Sequence, residues 1–429
     1  MFKFFTSDIR RNLTKVLCLT AGLAIGFLLV AKIYFEQTYD SFFPDSHRLY
    51  YVYESCEVLD EYKEYAQTPG AIAPGLKQYV PMVENATRST GLTGTVKIRL
   101  EDGRLLDVEA IQLADSCFFD VFETPVLSGN PHDALSIQQS CMIPRSLADK
   151  IGGDVIGMSV TSPSISDDYK ITINGVYEDF PLNSSIGNYM YLSLCTLDQF
   201  SPNSRTNWLG NDRYKSYVKL VEGASPEQLQ PYIDRMLADN VDAEFLGISH
   251  FNIGVKPLSS KYLANSGVSN MIWVLSLLAV VMLMSAGLNF LLIVIGQMGK
   301  RTKEMAVRKC YGTSNTRIFA RIIGETLFFL TLSLGLAIFL VFCFSDLCRD
   351  LLGYTPSQLL TTGHVWIVEL GVCLLLLVIT GAIPAWMYCR TPVANAFRTN
   401  VKSRRAWKLI LLSVQFFASG LLVCLLSLV

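Results

Sequence analysis

The sequence predicts a multi-pass α-helical membrane protein with a large mixed α/β extracytoplasmic domain inserted between its first and second transmembrane helices. Three observations predict it. Of 429 residues, 51% are hydrophobic and only 17% charged, against about 25% charged in ordinary globular proteins; mean hydropathy is +0.34. The apolar residues concentrate in a few nearly charge-free runs, while the long middle region has the composition of a soluble domain. Lysine and arginine gather on one set of connections between the runs. The net charge of -1 argues against a general nucleic-acid binder.

A hydrocarbon core about 30 Å thick takes about 20 apolar residues at about 1.5 Å each. Spans are therefore expected at 16–34, 271–295, 322–345 and 365–388, with a fifth at 407–429. Lys3, Arg10, Arg11 and Lys15 precede the first span. Lys300, Arg301, Lys303, Arg308, Lys309, Arg317 and Arg321 fall between the second and third. Arg390, Arg398, Lys402, Arg404, Arg405 and Lys408 fall between the fourth and fifth, whereas the 346–364 connection holds only Arg349. The positive-inside rule then puts residues 1–15 in the cytoplasm, 35–270 and 346–364 outside, and 296–321 and 389–406 inside. The first span is too long for a signal-peptide core and is followed by Lys32-Ile33-Tyr34-Phe35-Glu36 rather than a small-residue cleavage site, so it reads as a retained anchor. Its Gly22-x-x-x-Gly26 is either a close-packing helix face or the ordinary glycine enrichment of membrane helices.

Within 35–270, Val96–Leu100, Ile171–Asn174 and Tyr214–Leu220 read as strands, and Glu101-Asp102-Gly103 as a hairpin turn. Ser225-Pro226-Glu227-Gln228 has the form of a capped helix start, with a helix expected through about Leu237. No constellation there carries chemistry. His47 and His132 have no histidine at metal spacing, and no Gly-x-Ser-x-Gly elbow occurs. Gly153-Asp-Val-Ile-Gly157-Met-Ser159 lacks the lysine and the glycine spacing of a phosphate loop and reads as surface-loop glycines. The eleven cysteines form no C-x-x-C motif; those inside the spans act as small hydrophobes, and Cys56, Cys117, Cys141 and Cys195 leave a disulfide in the external domain open.

The stretch from Gly299 to Ser314 carries the most information. Glu304 and Arg308 stand four apart with the acid first, the favourable helical order, and Lys300 and Arg301 fall in the preceding turn. Gly312 supplies a stop and Thr313-Ser314-Asn315 a cap for the next helix. A short charged cytoplasmic helix linking two spans is expected, serving either as a partner-docking elbow or as a basic loop on lipid headgroups.

The pattern Arg301-x-x-Glu304-x-Ala306-Val307-Arg308-Lys309-x-x-Gly312-x-Ser314, followed by Glu325-Thr326-Leu327, resembles the signature of FtsX-like permeases. Gly22 and Gly26, Glu36-x-x-Tyr39-Asp40-x-Phe42 and Arg48-x-Tyr50 resemble the N-terminal part of the two-repeat members. Phe119-Asp-Val-Phe122, Gly129-Asn-Pro131, Gly175-Val-Tyr-Glu-Asp179 and Pro181-x-Asn183-Ser184-Ser185 are similar to the MacB-like periplasmic core domain. Asn289-Phe290, Pro384-Ala385 and Pro392-Val393 match the ends of the second and fourth spans, so the likeness runs over almost the whole chain. Cys310-Tyr311 departs from the small or aliphatic residues usual before the glycine. Arg404 to Phe416 looks like the start of a second repeat, and the chain stops inside that span. A fragment or a truncated product of a two-repeat gene is expected from this.

The resemblance implies the permease subunit of an ABC transporter of the mechanotransmission type in the bacterial inner membrane, exporting or extracting a substrate. An alternative within the family is regulation of a cell-wall enzyme. It implies a cytoplasmic ATPase partner contacted through Arg301, Lys303, Glu304, Arg308, Lys309 and Gly312, with ATP and magnesium bound by that ATPase and no cofactor in this chain. Membrane lipid is a second partner, and a periplasmic or outer-membrane protein a further one that the family allows. A membrane receptor or sensor would need a cytoplasmic output domain that the sequence does not contain, and a membrane enzyme would need a convergent catalytic set.

Overall fold

The computed structural model describes residues 9–58, 61–166, 169–210 and 213–390, with 409, 410, 412, 413, 415–417 and 420; the side chains of 9–11, 58, 295–303, 305, 306, 387 and 388 fall outside that description. Residues 1–8, the linker beyond 390 and most of the fifth expected span lie outside the described residues. Two compact units emerge: one of residues 1–37 and 266–429, the other of residues 38–265.

In chain order the helices are α1 (Ile9–Gln37), α2 (Ile72–Tyr79), α3 (Phe118–Phe122), α4 (Pro131–Ser136), α5 (Arg145–Ile151), α6 (Gln230–Asn240), α7 (Ala243–Ser249) and α8 (Leu258–Leu263). They continue as α9 (Ser266–Cys310), α10 (Asn315–Cys343), α11 (Ser345–Leu352), α12 (Pro356–Thr361), α13 (Val365–Leu377) and α14 (Ile383–Arg390). The strands are β1 (Leu49–Val58), β2 (Glu61–Tyr65), β3 (Val83–Thr93), β4 (Val96–Arg99), β5 (Leu105–Val108), β6 (Ile111–Ala114), β7 (Val126–Gly129) and β8 (Ser140–Pro144). Then come β9 (Ser159–Thr161), β10 (Lys170–Tyr177), β11 (Met190–Ser193), β12 (Lys215–Leu220) and β13 (Asn252–Pro257).

The α/β unit is one mixed sheet in the order β13-β1-β12-β3-β6-β11-β8-β10-β9-β4-β5, with β2 added to β1 and β7 to β10. β8 and β10 run parallel, as do β6 and β11; the other pairs are antiparallel. The Glu101–Gly103 turn joins β4 to β5 as the sequence predicts, with Gly103 at φ +85 and its N–H donating to Leu100 O at 3.0 Å. The start at Ser225 is also found, its N–H donating to Gln228 Oε1 at 3.3 Å. A 3-10 turn (Pro226–Gln228) intervenes before α6, which runs to Asn240. One core cluster is aromatic: Phe43, Phe118, Phe119, Phe122, Tyr177, Phe180, Tyr191 and Tyr217 are all buried together. Rings this large bury much apolar surface each, which accounts for the Phe119-Asp-Val-Phe122 pattern. Gly129 is required for a different reason: at φ +82, a Cβ would lie 2.1 Å from Asn174 O where β7 crosses β10.

Among the described residues of the other unit, four helices are long and apolar enough to cross a membrane: Asn12–Gln37, Ser266–Val294, Asn315–Cys343 and Val365–Trp386. No proline occurs between Pro257 and Pro356, so nothing breaks the long helices from within. Val16, Leu19, Leu23 and Phe27 of α1 pack with Ala286, Phe290 and Val294 of α9 and Phe329 and Leu330 of α10. Gly22 and Gly26 are the contact face: a Cβ on Gly22 would lie 2.2 Å from Ala286 Cβ, and one on Gly26 2.4 Å from Leu283 Cδ2. Of the two sequence readings, close packing is the one realised. The fourth span is not one regular helix. A wide π turn (Val378–Ala382) joins α13 to α14, at the point where Gly381 meets Thr326 and Ile323 of α10.

Candidate functional site

The elbow differs from expectation in one respect. It is not a separate short helix but the last turns of α9, which continues unbroken from Ser266 to Cys310, past the membrane-compatible stretch that ends at Val294. Apart from Thr302 and Val307, residues 300–309 are lysine, arginine, glutamate, methionine and alanine, all strong helix formers. Arg308 donates from Nε at 3.2 Å and Nη2 at 3.0 Å to Glu304 Oε1. An exposed pair of this kind stabilises a helix by only about 0.3–0.5 kcal/mol, so its place on the surface matters more than its contribution to folding. Gly312, at φ +81, ends the helix. Its N–H donates to Lys309 O at 3.0 Å and that of Thr313 to Arg308 O at 3.1 Å, the paired bonds of a Schellman stop. Ser314 then caps α10, its hydroxyl accepting from Arg317 N at 3.4 Å.

The site residues expected from the sequence separate here. Glu304 and Arg308 come together. Lys309 turns elsewhere and donates from Nζ to Cys389 O at 2.8 Å, tying the elbow to the end of α14. The side chains of Arg301 and Lys303 lie outside the described residues, so Arg308 is the described partner of Glu304. The sequence reading did not select Val307 and Tyr311. At helical spacing they share a face with Glu304 and Arg308, and Tyr311 is 87% exposed. The ion pair is thus flanked by an exposed aliphatic and an exposed aromatic side chain. The available signal was the Cys310-Tyr311 departure from the family pattern.

A second polar cluster lies within the α/β unit, where the chain enters and leaves it. Asp40 is fully buried and sits at φ +57. Its Oδ1 accepts from Ser185 N at 2.7 Å, and its own N–H donates to Asn183 O at 2.9 Å. Asn183 Nδ2 donates to Thr38 O at 3.0 Å, and Tyr39 stacks on Tyr262 at 3.7 Å between ring centroids. Two motifs 145 residues apart thus form one clasp. Burial raises the Asp40 carboxyl despite these hydrogen bonds, and burial lowers the Lys261 ammonium to about 8 despite Asp40 nearby. Elsewhere, burial pushes Asp115 up to about 6 against the opposing pull of Thr87 and Arg88.

Among the described residues, no group of three or more His, Cys, Asp or Glu gathers to hold a metal. His132 Nε2 lies 2.8 Å from Asp120 on the surface. Cys56, Cys117, Cys141 and Cys195 are all free thiols, so the open disulfide is not formed. Gly153 and Gly157 lie at positive φ with open space around them, as surface-loop glycines do.

Residues 276–393 match the family model described as FtsX-like permease C-terminal. Among solved structures, "a domain of a putative Permease protein" from Porphyromonas gingivalis is similar at 34% identity. That match covers 50% of this chain and 91% of that one, with a TM-score of 0.46. The periplasmic region of MacB from Actinobacillus actinomycetemcomitans is similar at 13% identity over 52% of this chain and 94% of that one, with a TM-score of 0.34. No curated protein matches.

Proposed function

Because the chain belongs to the FtsX-like permease family, we propose that it is the membrane subunit of an ABC-type machine, moved by a separate cytoplasmic ATPase that docks on the elbow. Its work is mechanical coupling through a two-state element rather than chemistry. ATP and magnesium belong to the partner in this reading. The Lys/Arg asymmetry supports an N-terminus and elbow in the cytoplasm and the α/β domain outside, in a bacterial inner membrane. The moving domain then serves export or extraction of a substrate.

One observation carries the reading. α9 is a single helix of 45 residues, about 67 Å long at about 1.5 Å per residue. It starts at Ser266, directly after Asn265, the last residue of the α/β unit, and ends in the elbow. A displacement applied at Glu304 and Arg308 is passed along such a rod without being absorbed in a hinge.

Inserting Gly-Ser-Gly after Gly299 tests this. The ATPase that co-purifies with the wild-type chain should still be recovered, while the ATP-dependent change in protease sensitivity of the α/β domain should vanish. Persistence of that change in the inserted variant would show that α9 is not the relay.

A further inference from the structure

We propose that α11 lies in the membrane–water interface and anchors the end of the helical unit remote from the elbow, inserting Phe344, Leu347 and Leu351 among lipid acyl chains. The helix has three distinct faces. Cys348 is buried against the protein, its Sγ facing Val341 O at 4.0 Å. Arg349 lies on the face most distant from the leucines at helical spacing, with Asp346 next to it and Asp350 at the polar edge beside Leu347. Between them Leu347 and Leu351, one turn apart, stand 54% and 74% exposed, in line with exposed Phe344.

Depth points to lipid as the occupant. The run from Thr326 to Ser345 holds no charged residue, with Glu325 before it and Asp346 after it. At about 1.5 Å per residue it rises about 30 Å, the thickness of the hydrocarbon core. α11 therefore begins at the level where acyl chains give way to headgroups. Its apolar arc continues the outward-facing Phe339 and Phe342 of α10, a surface already turned to lipid by the membrane-spanning role of that helix.

The segment is also held firmly, which a peripheral anchor needs. Gly353 ends α11 at φ +78. Tyr354 lies 4.4 Å from the Phe35 ring, with Lys32 Nζ 4.2 Å from its centroid, beside the buried Lys32–Glu36 ion pair of α1. Thr355 and Gln358 cap α12, whose Leu359 is fully buried, and His364 N–H donates to Tyr34 OH at 3.1 Å. α11 carries two acids and one base, so its attachment should rest on acyl chains rather than on anionic headgroups.

The full chain, carrying one environment-sensitive fluorescent amino acid at position 351, 347 or 349, would be reconstituted in phosphatidylcholine vesicles. Variants whose gel-filtration profile matches the wild type are compared. Probes at 351 and 347 should be quenched by nitroxide-labelled acyl chains and shielded from iodide, with the reverse at 349, and added phosphatidylglycerol should leave the pattern unchanged. Iodide quenching at all three positions, with none from labelled lipid, would overturn the proposal and leave the face to a protein partner. Lipid quenching that appears only with phosphatidylglycerol would overturn it in favour of headgroup binding.

Discussion

Replacing Gly22 by alanine tests the packing of the first two long helices. In the present geometry the new methyl would lie 2.2 Å from Ala286 Cβ, far inside van der Waals contact. Ala286 is buried and the site is flanked by Leu23 and Phe290, so the helices must separate. Overpacking of this kind costs about 1–3 kcal/mol, partly offset by the gain of up to about 1 kcal/mol when a helical glycine becomes alanine. The structure also specifies the remedy. With Ala286→Gly the nearest atoms to the new methyl are Ala286 Cα at 3.4 Å and Met282 O at 3.6 Å, ordinary contacts. Gly324→Ala is the control, because nothing lies within 4 Å of its built Cβ. The assay is the thermal loss of the monodisperse gel-filtration peak of the solubilised permease. Gly22→Ala should lower the midpoint, Gly22→Ala with Ala286→Gly should restore most of it, and Gly324→Ala should leave it level or slightly higher. Equal midpoints for Gly22→Ala and Gly324→Ala would refute the close contact, and additive losses in the double variant would refute the Gly22–Ala286 pairing.

Three further outcomes are expected. Asp40→Ala strands the half-buried Ser185 N–H and should cost the α/β domain about 1–3 kcal/mol, seen as faster limited proteolysis; Asp40→Asn keeps the acceptor and tolerates the left-handed backbone, so equal proteolysis of the two variants would contradict the clasp. Burial raises the folded-state carboxyl of Asp115 to about 6, so the folded state holds the extra proton: stability from this group is complete below about 3.9 and lost as pH rises through 6. Asp115→Asn should flatten that decline in a thermal series, and an unchanged slope would exclude Asp115 as its source. Exposed Cys310 should resist a membrane-impermeant thiol reagent in intact cells and react after permeabilisation, whereas Lys97→Cys, on the exposed face of β4, should react in both; labelling of Cys310 from outside would invert the topology.

Local features were legible in the sequence because their causes are local. The Gly312 stop follows from a residue that accepts positive φ, the Glu304–Arg308 pair from spacing of four, and the β4–β5 turn from Asp102-Gly103. The fold class followed from segregated hydropathy. The sheet order did not, because β12 pairs with both β1 and β3 across more than a hundred residues of chain, and no short pattern records such pairing. The Asp40–Ser185 bond is hidden for the same reason. The continuity of α9 was within reach, since no proline interrupts it, yet the change from apolar to charged composition at the elbow suggested a break where the backbone has none. Val307 and Tyr311 escaped because apolar residues beside a span are expected to be buried, and only the structure places them outward.

The central claim is that a protein, not lipid, engages the elbow through Glu304. Recovery of the ATPase with the Glu304→Lys permease tests it most directly, after normal membrane insertion is confirmed. The substitution removes the acceptor for Arg308 and sets a like charge one turn away, so a docking groove should lose its match although the elbow gains positive charge. Lipid headgroups would bind that elbow more tightly, by about 1 kcal/mol per added basic residue. The account predicts that the ATPase no longer co-purifies and that coupled ATP hydrolysis falls. Unchanged recovery together with unchanged coupled hydrolysis would contradict it.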